Sequence, residues 1–183
     1  MARDYLRASI PITKPIVYID LDGVLADFDK RHEELIAEGL TKPKAFKDPR
    51  AFVDLDPMPG AIEAWHALQE RFETYILSTP AWSNVRCWSD KREWVEKYLG
   101  KSAHKKLILG HHKGLLQGDY LIDDRIANGV SDFKGIHIHF GQGNTSNWKS
   151  VLDQINQLQD FYDDKNPANF GNAYGKIENT EDI

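Results

Sequence analysis

A chain of 183 residues, 41% hydrophobic and 28% charged, has room for one globular domain with a small insertion, and its composition excludes a disordered polymer. A net charge of −5 and a pI near 5.8 provide no broad basic field, which argues against duplex nucleic acid as a partner and leaves a small anion open. The single cysteine, Cys87, rules out a disulfide framework or a Cys-based zinc site within one chain and reads as an inert, buried thiol.

The segment from Met1 to Lys14 mixes charges and has no apolar run of signal-peptide length. No stretch approaches the roughly 20 apolar residues of a membrane span, so a cytoplasmic location with no membrane partner is expected.

The first apolar run, Ile16 to Leu21, reads as a buried strand that runs straight into acids. His32 to Gly39 then reads as a helix. Thr41 to Pro57, rich in Lys, Pro, Asp and Phe, reads as irregular or weakly helical, and residues 28–58 together form a small cap inserted after strand one. Pro59-Gly60 opens a helix from Ala61 to Arg71 with Ile62, Trp65 and Leu68 on one face. Thr74 to Leu77 is a second strand. A helix from Ser89 to Leu99 opens on Ser89-Asp90 and stops at Gly100.

Lys106 to Leu109, Tyr120 to Ile122 and Ile136 to Phe140 complete five strands. Trp148 to Leu158 carries apolar residues at helical spacing, and the chain turns polar from Asp160. Strands alternating with helices predict an α/β fold with a mainly parallel sheet covered on both faces. Residues 1–27 and 59–160 form the core, and 161–183 form a polar tail that is loose or ordered only by a partner.

Chemistry concentrates at strand ends. Asp20-Leu21-Asp22-Gly23 places two acids at i and i+2, which point the same way on an extended strand. Leu121-Ile122-Asp123-Asp124-Arg125 ends a second apolar strand in paired acids. If these strands are neighbours, four carboxylates converge where open parallel sheets bind ligands. Burying them together requires a cation or protons, and magnesium suits such oxygen ligands.

Between the two acidic motifs, Ile76-Leu77-Ser78-Thr79-Pro80 delivers hydroxyls to the same edge, where they can hold phosphate oxygens. Lys91 opens the next helical segment, and from spacing alone it is a surface lysine. Two bland alternatives stand beside these readings. Asp-Asp pairs and Ser-Thr-Pro also occur in solvated turns. His104, His111, His112, His137 and His139 could serve a zinc protein, although none of their spacings is a strong metal signature.

Taken in order, these motifs resemble the haloacid dehalogenase (HAD) superfamily: Asp20-Leu21-Asp22-Gly23-Val24-Leu25 is similar to its nucleophile motif, Ser78 to its Ser/Thr motif, Lys91 to its lysine motif and Asp123-Asp124 to its terminal acidic motif. More narrowly, Tyr18 to Phe28, Ile76 to Pro80, Lys91-Arg92-Glu93-Trp94-Val95-Glu96-Lys97, Leu121 to Arg125 and His137 to Gly141 followed by Trp148 resemble the 5'(3')-deoxyribonucleotidase family. The segment Leu107 to Lys113 departs from that family's Thr-Arg-Asp-Lys pattern and keeps only Lys113.

The resemblance implies a three-layer Rossmann-like core with strand order 5-4-1-2-3 and a helical cap. It implies Mg2+ as cofactor, Asp20 as nucleophile, Asp22 as acid and base, and Ser78 and Lys91 around the phosphate. Asp20, Asp22, Asp123 and Asp124 would hold the metal. Phe28, Phe46, Phe52, Thr79 and Trp82 are the candidates to bind the substrate, a nucleoside monophosphate, although core packing accounts equally well for Phe28 and better for the other aromatics. A phosphatase of another small metabolite, a binding module that keeps the fold and a homodimer are compatible with the same sequence.

Overall fold

A computed structural model describes residues 14–165 of the chain. The expected features at residues 1–13 and in the polar stretch 166–183 lie outside the described residues. The five apolar runs all form strands: β1 (Ile16–Ile19), β2 (Glu73–Ser78), β3 (Leu107–Leu109), β4 (Tyr120–Asp123) and β5 (Ile136–His139). They make one parallel sheet in the order β3-β2-β1-β4-β5, the expected order read from the opposite edge.

β1 lies at the centre, where both faces of a strand are covered, and its Ile-Val-Tyr-Ile run meets that demand. Alternation sorts the sheet residues into two packed sides. Val17, Ile19, Ile76, Ile122 and Ile138 join the larger apolar cluster, whereas Tyr18, Leu77 and Leu121 form a smaller one with Val130 and Phe133.

Three long helices supply the larger cluster: α3 (Ala61–Arg71) with Trp65 and Leu68, α4 (Cys87–Tyr98) with Trp94 and Val95, and α5 (Trp148–Lys165) with Val151 and Ile155. Burial of each large apolar side chain contributes about 1.5–3 kcal/mol. On the other side the third layer is thinner than expected. The connections from β3 to β4 and from β4 to β5 are too short for full crossover helices and hold single 3₁₀ turns, Lys113–Leu115 and Val130–Asp132.

The insertion after β1 contains α1 (Phe28–Ala37) and the short α2 (Lys42–Lys47). Asp27 caps α1 by accepting from the Lys30 main-chain N–H at 3.1 Å, and a proline stands in the first turn of α2. Phe28, Leu35, Ala45, Phe52 and Leu55 of the insertion share one continuous apolar cluster with the sheet. Trp94 Nε1 of α4 donates to the Leu55 carbonyl at 2.8 Å and joins the two parts further.

Several element ends differ from expectation. α1 begins at Phe28, four residues before the expected His32, because Asp27 caps it there. α4 starts at Cys87, before Ser89-Asp90, because Asn84 organises the preceding turn: its carbonyl accepts from Cys87 N–H at 3.1 Å and its side-chain oxygen from Arg86 N–H at 3.1 Å. α5 runs on to Lys165, so residues 161–165 continue a helix instead of starting a loose tail. Arg71 of α3 fastens that extension by pairing with Asp160 at 2.7 Å and Asp163 at 3.4 Å.

Candidate active site

β1 stops at Ile19, but Asp20 N–H still donates to the Ile122 carbonyl of β4 at 2.9 Å, so Asp20 keeps its place at the strand end. The chain turns after it: the Leu21 carbonyl accepts from Leu25 N–H at 2.9 Å and Ala26 N–H at 2.8 Å, which puts Asp22 on a tight turn. The alternation expected of an extended strand therefore does not carry through to Asp22. Each acid meets its own buried ammonium. Asp22 Oδ2 lies 2.5 Å from Lys91 Nζ, and Asp20 Oδ1 lies 3.0 Å from Lys113 Nζ.

Lys113 also hydrogen-bonds Asp123 at the end of β4, and Lys91 donates to Ser78 Oγ at the end of β2 at 2.9 Å. Side chains from the ends of β1, β2 and β4, from α4 and from the turn after β3 thus meet at one edge of the sheet. Gly23 is required in this turn. Its φ is +77°, and a Cβ there would lie 2.8 Å from Asp124 Oδ2.

Lys91 and Lys113 are each only 1% exposed, so the surface reading of Lys91 fails. Lys113 is the residue that reading the motifs undervalued. The one signal for it was a lysine left standing in an otherwise divergent segment, and only folding places it between Asp20 and Asp123.

Asp20, Asp123 and Asp124 bring carboxylate oxygens within 4.8 Å of one another. The Asp22 carboxylate is not part of this trio and is committed to Lys91. Among the described residues no group of three or more histidines, cysteines or acids other than this trio could hold a metal, so the histidines do not assemble a zinc site.

Burial pushes the Asp22 carboxyl upward, with the Asp20 charge adding to it against the pull of Lys91. Burial and then the Asp20 charge push Asp123 up to about 6, against Lys113, and burial raises Asp124. Burial alone would lower Lys113, but Asp20 and Asp123 outweigh it and hold the ammonium above its ordinary value. The donor set fits a hard divalent cation: three carboxylates converge, and the buried Asp124 Oδ1 has no hydrogen-bond partner in the protein.

The family model of "5' nucleotidase, deoxy (Pyrimidine), cytosolic type C protein" matches residues 44–164. A protein of Vibrio phage KVP40 assigned as a 5'(3')-deoxyribonucleotidase is 50% identical over 141 residues, covering 76% of this chain and 83% of that protein. The chain belongs to the 5'(3')-deoxyribonucleotidase family.

Members of this family are phosphatases of phosphoric monoesters, and so is this chain. The human 5'(3')-deoxyribonucleotidase of cytosolic type is 28% identical over 167 residues, covering 74% of this chain and 78% of the human protein. The magnesium-bound HAD hydrolase YfnB of Bacillus subtilis shares the fold, with a TM-score of 0.52 at 10% identity over 78% of this chain and 99% of the other.

The expected substrate residues fall into two places. Phe28 stacks on Phe52 with centroids 5.1 Å apart, and Phe46 meets both edge-on at 6.0 and 5.7 Å. Lys91 Nζ stands 5.4 Å from the Phe52 ring centroid, so this aromatic group adjoins the carboxylates. Phe28 and Phe52 are buried, and of the three rings Phe46 presents the most surface. Trp82 is 81% exposed and packs against His111 at 5.6 Å, a ring shared with Trp88. The Thr79 hydroxyl donates to the Gly110 carbonyl at 3.0 Å, joining the loops after β2 and β3.

Proposed function

We propose that the enzyme is a magnesium-dependent nucleotidase that removes phosphate from a (deoxy)ribonucleoside monophosphate through an aspartyl-phosphate on Asp20. The observation that carries this reading is the meeting of Asp20, Asp123 and Asp124 within 4.8 Å, beside Asp22 held by a buried lysine. Asp20, Asp123 and Asp124 would hold the cation, with Asp22 contributing its main-chain carbonyl. Bound there, the cation neutralises phosphate oxygens and aligns the attack.

The Asp20 carboxylate attacks phosphorus as the bond to the ester oxygen breaks, which splits one difficult displacement into two easier ones. Asp22, whose carboxyl is raised by burial, protonates the leaving oxygen and then takes a proton from the water that opens the intermediate. Lys91, the Ser78 hydroxyl and Lys113 stabilise the charge on the phosphoryl group.

The cap selects the leaving group, with Phe46, the exposed ring set edge-on against the buried Phe28 and Phe52, as the surface for a nucleobase, where stacking contributes about 1–3 kcal/mol per base. The names of the phage and human relatives support a deoxynucleotide, and the human relative's cytosolic type supports a cytoplasmic setting.

The test is phosphate release from a panel of monoesters with magnesium, with and without EDTA. Faster release from dUMP or dTMP than from sugar phosphates, abolished by EDTA and by Asp20→Asn in a folded protein, is the expected result. Near-normal turnover by Asp20→Asn ends the nucleophile assignment, and a preference for sugar phosphates ends the nucleotidase reading.

A further inference from the structure

β5 is the edge strand beside β4, and its alternate residues His137 and His139 share one face, with ring centroids 5.3 Å apart and planes inclined by 28°. Both rings reach the main chain of the paired acids. His137 Nε2 lies 3.1 Å from the Asp123 carbonyl oxygen, and His139 Nε2 lies 2.8 Å from that of Asp124. A carbonyl oxygen only accepts, so each imidazole carries a proton on Nε2.

The two carbonyls differ in what else holds them. That of Asp123 also takes a sheet bond from Phe140 N–H at 2.9 Å, and the Asp123 carboxylate is fixed by Lys113 and by Arg125 N–H at 2.9 Å. Asp124 lies past the end of β4, where the ladder has stopped, and an imidazole takes the place of a strand partner. Its carboxylate is restrained weakly: Oδ2 accepts from Arg125 Nε at 3.3 Å, and Oδ1 is buried without a partner in the protein. The direction of the Asp124 carboxylate is therefore set mainly by its backbone.

We infer that His139, with His137 in a lesser part, is a positioning residue that fixes the peptide units of Asp123 and Asp124 and so keeps their carboxylates aimed at the cation. The inference rests on the cation reading above. It assigns the histidines no contact with substrate or metal. Outer partners of ligating groups commonly change metal affinity by roughly 10- to 100-fold when removed.

The experiment is calorimetric titration of Mg2+ into the metal-free full chain for wild type, His139→Leu, His139→Gln and His137→Leu, with the metal-free melting temperature and kcat at saturating Mg2+ measured alongside. His139→Leu weakens Mg2+ binding by roughly 10- to 100-fold. His137→Leu weakens it less. His139→Gln, whose amide N–H can donate to the same carbonyl, recovers most of the loss, and kcat at saturating Mg2+ stays near wild type. A merely structural role predicts neither the order of the two histidines nor the rescue.

Should the leucine variant not fold, His139→Asn, whose amide is too short to reach the carbonyl, takes its place against the glutamine. Wild-type affinity in His139→Leu, or glutamine no better than leucine or asparagine, overturns the inference. A wild-type chain that shows no Mg2+ binding at all overturns the cation reading itself, so the two failures are told apart.

Discussion

Lys113→Met removes one charge from the site and keeps the length and apolar stem of the side chain. The lost ammonium sits 3.0 Å from Asp20 Oδ1 and also hydrogen-bonds Asp123, both in buried surroundings. At that separation and an effective dielectric near 20, one such pair attracts by about 5–6 kcal/mol. Burying the ammonium costs several kcal/mol, and the variant recovers that cost. What remains is the cost of two buried acids facing each other without their cation, a loss of about 3–5 kcal/mol at neutral pH.

Urea unfolding of metal-free wild type and variant measures it, with an unchanged m-value showing that both unfold from the same compact state. The deficit should narrow as pH falls. Asp123 already has a folded-state pKa of about 6, and loss of the lysine raises it further. A carboxyl raised in the folded state weakens stability above that pKa, and the penalty disappears as the pH falls toward the ordinary carboxylate value near 4. Mg2+ should also stabilise the variant more than the wild type, because the ion replaces a charge the variant lacks. A deficit under about 1 kcal/mol at neutral pH, or equal stabilisation of both proteins by Mg2+, would refute the view that Lys113 holds these carboxylates together.

Gly23→Ala places a side chain at φ +77° with its Cβ 2.8 Å from Asp124 Oδ2. It should cost about 1–2 kcal/mol in thermal unfolding from the backbone alone and weaken Mg2+ binding by pushing Asp124 aside. Unchanged Mg2+ affinity would show that Asp124 does not ligate. Cys87 is buried, its thiol is pushed up by burial, and its sulfur accepts from Ala81 N–H at 3.2 Å. An aromatic disulfide reagent should leave it untouched in the native protein and modify it fully in urea; rapid reaction without denaturant would contradict the packing of α4 against the loop after β2.

Much of the fold was legible because the signals were local. Each strand was a short apolar run ended by a turn, and α3 and α5 showed their buried faces as repeats of Trp65 and Leu68, or of Val151 and Ile155. Where local rules competed, the reading slipped. Ser89-Asp90 has the chemistry of a helix opening, but Asn84 builds an earlier one by hydrogen bonds to Arg86 and Cys87. The polar composition after Asp160 suggested a tail, yet Arg71 from a distant helix holds Asp160 and Asp163 in place. Strand alternation does not explain how Asp22 reaches the site, because the sheet ladder carries Asp20 but a turn begins at Leu21.

From residue order alone came the acids at two strand ends, the hydroxyls at a third and the family they resemble, since these depend on neighbours a few positions apart. Only the folded chain decided which lysine meets which acid. Lys91 and Lys113 look alike along the chain, and one is brought to Asp22 and Ser78 while the other is brought to Asp20 and Asp123. The physical reason is that attraction between buried charges falls off over a few ångströms and depends on burial, and neither separation in space nor loss of water is encoded by spacing in sequence.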